Sequence, residues 1–183
     1  MRIGLISDTH LPQMGPTPPA EVARAFEGVD LILHGGDIHT PQCLDWLEQI
    51  APVIAVEKGP HPILEDPRVE ERRVFELEGH TIGMMHDFAA PYLTEVLPGV
   101  LAKYPPDHDL AADLERIFHA RINIVVFGDS HFAVAESHNG ILFLNPGSPT
   151  LPRQVRRLGT VAILELTPGT RHAEILELST FSA

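Results

Sequence analysis

The sequence predicts an α/β fold in which two β-sheets pack face to face with helices outside. Short unbroken apolar runs alternate with helix-start signals through the first sixty residues, and hairpin patterns take over in the second half. Aromatic residues are only 6% of the chain, so the core is aliphatic, which suits sheet-rich packing. With 183 residues, 44% of them hydrophobic, the chain can bury one substantial core and reads as a single domain over 1–183.

Residues 2–7 and 31–34 read as strands buried on both faces, since neither shows polar alternation. Between them, Thr17-Pro18-Pro19-Ala20-Glu21 reads as a helix start, with a capping hydroxyl and proline in the first turn. The signature recurs at Thr40-Pro41, opening a helix through Gln49. Residues 53–57 form a third strand, completing βαβαβ and implying a parallel sheet. Residues 73–77 and 81–85 flank Glu78-Gly79-His80 as a hairpin. Residues 92–120 hold one or two helices around Pro105-Pro106, ahead of a strand at 122–127. Alternation in 133–137 and 141–144 around Asn139-Gly140 is a hairpin signal, and 160–166 and 171–178 pair across Thr167-Pro168-Gly169-Thr170. Segments 60–67 and 91–106 read as irregular loops, and no internal repeat or low-complexity tract interrupts the chain.

A net charge of −12 opposes binding of long nucleic acid, which needs a basic face. A small phosphate ligand stays open, because bound cations reverse a local field. The single cysteine, Cys43, cannot form an internal disulfide and fits a reducing compartment. No run approaches the roughly 18 apolar residues of a spanning helix, and the N-terminal run breaks at Asp8, unlike a signal peptide. The expectation is a cytoplasmic protein without membrane contact. The strands over 160–178 leave an edge that could support a homo-oligomer, though nothing specifies one.

Four islands of Asp and His follow apolar runs: Asp8-Thr9-His10, Gly35-Gly36-Asp37, His86-Asp87 and Gly128-Asp129-Ser130-His131. In open α/β sheets, ligands gather beyond the carboxyl ends of strands, where all four lie. Carboxylate and imidazole are donors that divalent first-row metals accept. Singly, each has a plainer reading: Asp37 as a cap for the helix at Thr40, His86 as a hydrogen-bonded strand-end residue. His34, His80, His108, His119, His138 and His172 are read as surface or packing residues, whereas His39 stands close enough to Asp37 to reach a substrate.

Taken together, these blocks resemble the metallophosphoesterase superfamily, the calcineurin-like phosphoesterases, and within it the small bacterial and archaeal phosphodiesterases. The likeness runs from Asp8-Thr9-His10 through His34-Gly35-Gly36-Asp37-Ile38, His86 and Gly128-Asp129-Ser130-His131 to Asn145-Pro146-Gly147-Ser148. It implies a four-layer αββα sandwich and two divalent cations, Mn, Fe, Mg or Zn, with a bridging hydroxide that attacks phosphorus. One cation would be held by Asp8, His10, Asp37 and His131; Asp37 would bridge to a second, held also by His86 and Asp129. His61 would protonate the leaving group, bond a phosphoryl oxygen or swing in as a ligand; Asn145 or Ser148 would orient the ligands, unless Asn145 serves only its turn; and Arg153 could contact phosphate or simply be solvated.

The chain departs from the family pattern at the second ion. The block Gly-His-Thr-His reads Gly128-Asp129-Ser130-His131, Pro60 falls where an Asn ligand is expected, and His-Gly has become His86-Asp87. Two aspartates, two divalent cations and a hydroxide leave one net positive charge; Asp129 in place of histidine brings that to zero, and a facing, ionised Asp87 would make it negative. A less positive centre favours phosphodiesters over dianionic monoesters. The competing readings are a scaffold or binding protein with a degenerate site, as in a retromer subunit of this fold, and a phosphoesterase using one metal.

Overall fold

In the computed structural model, which describes residues 1–182, the continuous apolar runs become parallel strands because both of their faces are covered. The first sheet has the order β11-β10-β1-β2-β3-β4, built from β1 (Arg2–Ile6), β2 (Leu31–His34), β3 (Val53–Val56), β4 (Val69–Glu70), β10 (Thr160–Thr167) and β11 (Thr170–Glu177). Strands β1 to β4 run parallel, and β10 and β11 add an antiparallel edge. The second sheet has the order β5-β6-β7-β9-β8, from β5 (Arg72–Leu77), β6 (His80–Met85), β7 (Ile124–Val126), β8 (Val134–His138) and β9 (Ile141–Asn145). Here β6, β7 and β9 are parallel, with antiparallel hairpin partners at both edges. Both sheets are mixed.

Side-chain parity makes the layers. Ile3 and Leu5 of β1 join Ile82 and Met84 of β6 and Ile124 and Val126 of β7 in one buried cluster, the seam between the sheets. Ile6 and Ile32 point the other way, onto Val22 of α1 (Ala20–Ala25), Phe26 just after it, and Leu44 and Leu47 of α2 (Pro41–Leu47). Val125 and Phe143 point out of the second sheet onto Leu110, Leu114 and Phe118 of α3 (Leu110–Phe118). Helix, sheet, sheet and helix therefore stack as expected, and no helix among the described residues is long and apolar enough to cross a membrane.

The differences are local. Thr17 does not cap α1, whose N-cap is Pro19 with no side-chain hydrogen bond, and the Thr40 hydroxyl makes no cap bond to α2, which ends at Leu47. Within 60–67, Pro62–Glu65 form a 3-10 turn, followed by the short β4. Residues 92–109 contain no α-helix, only a bridge from Leu93 to Ala90 and a 3-10 turn at Leu101–Lys103; the helix starts after Asp109, whose side chain accepts from the Ala112 N–H at 3.1 Å.

Candidate metal centre

The strand ends β1, β2, β6 and β7 deliver their following loops to one edge of the sandwich. Three loops repeat one backbone device. Asp8 and His10, Asp37 and His39, and Asp129 and His131 all have positive φ, between 48° and 69°. Each such residue costs on the order of 1 kcal/mol, so it persists only where its surroundings hold it. The first two loops are stitched together by Asp8 N–H to Gly36 O at 2.9 Å and His10 N–H to Asp37 O at 3.0 Å. Gly36, at φ 109°, has no alternative, because a Cβ there would collide with the His86 ring.

Ligand atoms of Asp8, His10, Asp37 and His131 all lie within 4.8 Å of one another, and those of Asp37, Glu57 and His86 form a second such group. Asp37 Oδ2 lies 3.3 Å from His10 Nε2 and 3.6 Å from His86 Nε2, so it belongs to both. The Nε2 atoms of His10 and His131 are 3.0 Å apart, and His131 Nε2 is 3.5 Å from Asp8 Oδ1. His131 donates from Nδ1 to Leu151 O at 2.9 Å, and His86 from Nδ1 to Gly35 O at 2.7 Å. Those bonds turn both Nε2 atoms inward, the orientation that metal ligation needs.

Asp8 supplies a further sign of fit. Its carboxyl is fully buried, and Oδ2 has no hydrogen-bond partner. Burial, against the opposing pull of His86 and His131, raises its pKa to about 6. The same burial pushes His10 down, whereas at His86 it is outweighed by Asp37 and Asp8, which raise the imidazole to about 9. Asp37 resists its own burial through the His86 bond and the neighbouring histidines and stays well below the usual carboxylate range. Without a cation, His86 carries the compensating proton; a divalent cation would match this donor set better.

The remaining predicted residues take the following places. Asp129 is exposed at the rim; its Oδ1 is 3.8 Å from His86 Nε2, outside the two tight groups, and its N–H donates to Asp8 Oδ1 at 3.0 Å. Asn145 donates to Gly128 O at 2.9 Å and holds the loop that carries Asp129 and His131. Ser148 donates to Asp8 O at 2.8 Å and accepts from Leu151 N–H at 2.9 Å. His39 Nε2 lies 3.5 Å from Asp37 Oδ1, and His61 stacks on His39 with 5.7 Å between ring centres, so His61 stands one ring outside the donor set. Asp87 is paired with Lys58 Nζ at 2.8 Å, so its charge is offset and does not make the centre negative. His34 is a packing residue, fully buried against Thr9, with burial driving its pKa down to about 3.

Glu57 was not among the predicted ligands. Read as the last residue of a strand, it instead follows β3 directly, in the same strand-end position as the four islands. Its carboxylate is buried and accepts from the N–H groups of Ile38 and Lys58, each at 2.9 Å. It thereby faces the group that lacks the expected Asn.

The sequence profile of the calcineurin-like phosphoesterase superfamily domain matches residues 1–169. A probable metallophosphoesterase of Methanothermobacter thermautotrophicus is 33% identical over 159 residues, covering 84% of this chain and 80% of its own. Among solved structures, Entamoeba histolytica Vps29 superposes with TM-score 0.67 at 20% identity, covering 97% of this chain and 99% of its own. A structure described as a novel archaeal phosphodiesterase gives TM-score 0.62 at 20% identity, with 96% and 100% covered. With its profile matched over nearly the whole length and its strand-end donors gathered at one edge, the chain belongs to the calcineurin-like phosphoesterase superfamily.

Proposed function

We propose that this chain, as one domain, hydrolyses phosphate esters, preferentially phosphodiesters, at a centre of two divalent cations. The observation that carries the reading is Asp37, shared between the group Asp8, His10, Asp37 and His131 and the group Asp37, Glu57 and His86. The first group would hold one ion; the second, with Asp129 at its rim, would hold the other. Divalent cations bound there would neutralise phosphoryl oxygens and acidify water for attack on phosphorus. Imidazole and carboxylate donors without thiolate suit Mn²⁺, Fe, Mg²⁺ or Zn²⁺.

The protein's own residues prepare the rest. His131 and His86 keep their Nε2 atoms turned inward by donating from Nδ1 to carbonyls. His61 accepts the Ile63 N–H on Nδ1 at 3.2 Å, so the neutral ring carries its proton on Nε2. We assign that N–H to the departing oxygen, which it hydrogen-bonds as the bond to phosphorus breaks, with the alkoxide's proton drawn from water. His61 is reached along a row of imidazoles from His131 through His10 and His39, with ring centres 4.9, 5.1 and 5.7 Å apart in turn.

The scaffold reading leaves Asp8 Oδ2 unexplained, since a buried carboxylate oxygen without a partner costs stability that a cation would offset. A small, soluble phosphate ester in the cytoplasm is the expected substrate; a net charge of −12 disfavours long nucleic acid. The test combines elemental analysis with hydrolysis of a panel of phosphate esters in chelator and after metal readdition. Close to two equivalents of metal per chain and activity only with metal are expected. Full activity in chelator, or a metal-replete protein inert on every ester, would overturn the proposal.

A further inference from the structure

The loop after Ser148 carries Arg153, Arg156 and Arg157, three of the chain's 13 basic residues within five positions. Among the described residues, none of the three has an acidic side chain within 4.0 Å, although the net charge is −12. The loop is locked to a ligand of the metal centre. His131 donates to Leu151 O at 2.9 Å, Arg153 N–H donates back to His131 O at 3.1 Å, and Arg157 N–H donates to Thr150 O at 3.1 Å. Arg153 and Gln154 have φ of 53° and 62°, so this turn holds two non-glycine residues in the left-handed region. Arg153 and Arg157 border one cavity of about 130 Å³ with His131 and Phe132, and the Arg153 guanidinium lies 5.8 Å over the Phe132 ring. Glu177 borders the same cavity, beyond ion-pair distance of either guanidinium.

We infer that Arg153 and Arg157 form a second anion subsite beside the metal centre, so that the substrates are phosphodiesters bearing a further phosphate group on one alcohol arm. Guanidinium groups suit phosphate through their fork of donors. Asp129 makes the centre itself less positive than a histidine would, so attraction for the anion has to come from outside the ligand set. Arg153 and Arg157 are such a source, since they share a cavity with His131 and their loop is bonded to it. This assignment rests on the phosphoesterase reading.

Two substrates test it: thymidine 5′-(4-nitrophenyl phosphate) and the same compound carrying a 3′-phosphate. With the manganese-loaded enzyme, kcat/KM for the phosphorylated compound should exceed that for the other about tenfold, the effect of roughly two modest charge-assisted contacts. Arg153→Met and Arg157→Met should each lower that ratio severalfold. Arg121→Met, which removes an exposed charge in the 119–123 loop, should leave the ratio unchanged. In parallel, the metal-free protein in chelator is titrated with inorganic pyrophosphate, and the Arg153→Met/Arg157→Met double variant should bind at least tenfold more weakly. No preference in the wild type, an unchanged ratio in both single variants, an equal fall with Arg121→Met, or equal pyrophosphate binding by the double variant would overturn the subsite. If the loaded enzyme hydrolyses neither compound, the phosphodiesterase reading fails, and the pyrophosphate titration still decides the subsite.

Discussion

Replacing Asp8 by asparagine separates the stability of the chain from its capacity to hold a cation. The Asp8 carboxyl is buried, with Oδ1 accepting from Asp129 N–H at 3.0 Å and Oδ2 unpartnered, and its pKa rises from 3.8 to about 6. Between those values the folded chain holds a proton that the unfolded chain has lost, so stability falls as pH rises through this window and stays lower above it. That rise in pKa corresponds to about 3 kcal/mol at neutral pH and above. Asparagine removes that penalty but leaves an amide N–H₂ near the old Oδ2 position, at about 1 kcal/mol. The net gain for the metal-free variant is about 2 kcal/mol, or about 4–8 °C in Tm for a chain of this size. Thermal denaturation in chelator reads it directly. At pH 8 the variant should melt above the wild type. At pH 5 the wild-type penalty is about halved, and the gap should shrink below about 1 kcal/mol. Adding Mn²⁺ should raise the wild-type Tm and leave the variant largely unmoved. A variant that melts at or below the wild type at pH 8, or a gap equal at both pH values, would refute the reasoning.

Asp129→His restores one positive charge to the rim of the centre. The ratio of kcat/KM for 4-nitrophenyl phosphate over bis(4-nitrophenyl) phosphate should rise about tenfold, a value discounted for the exposure of Asp129; an unchanged ratio would reject the charge argument. His61→Ala should cost about a hundredfold or more in kcat for an alkyl leaving group and far less for 4-nitrophenolate, which departs without a proton. Equal losses on both would remove His61 from that role. Glu57→Gln should weaken the second of two manganese-binding steps about tenfold in calorimetric titration while leaving the first, since Glu57 belongs only to the group with His86. A single unaltered isotherm would exclude Glu57 as a ligand.

Much of this architecture is legible in the chain because burial on both faces writes itself as unbroken apolar runs. Leu31–His34 and Ile124–Val126 are fully buried strands, and the Asp and His residues that follow end each apolar run, so they mark the sheet edge. What escapes the sequence is structure fixed by distant partners. Strand β4 is two residues long and exists through its pairing with Ala55 and Val56, too short to show a period. Thr17 resembles a cap, but Pro18 and Pro19 follow it, and the helix begins only at Ala20. Glu57 reads as a strand terminus, since nothing local reveals that its carboxylate turns inward to hold the Ile38 N–H. The Lys58–Asp87 pair, joining two loops far apart in the chain, is equally invisible, and it removes the negative charge that Asp87 would otherwise add.

The repeated Asp-x-His loop shows why local propensity fails at this site in particular. Asp8-Thr9-His10 and Asp129-Ser130-His131 suggest an extended segment with alternate side chains on one face. In the structure both Asp and His in each loop are left-handed, and Asp37-Ile38-His39 adopts the same form. Six such residues, at on the order of 1 kcal/mol each, are a large charge against a domain whose net stability is about 5–15 kcal/mol. The residues between the strained pairs anchor the loops: Thr9 bonds to His34 and to Asp37 O, Ile38 N–H to Glu57, and Ser130 to Asn145. No isolated loop would hold that form, and each is held by groups from another strand end. The strain is therefore shared across β1, β2, β3, β7 and β9, which fixes the donor atoms before any ion arrives and concentrates the cost where cation binding can offset it.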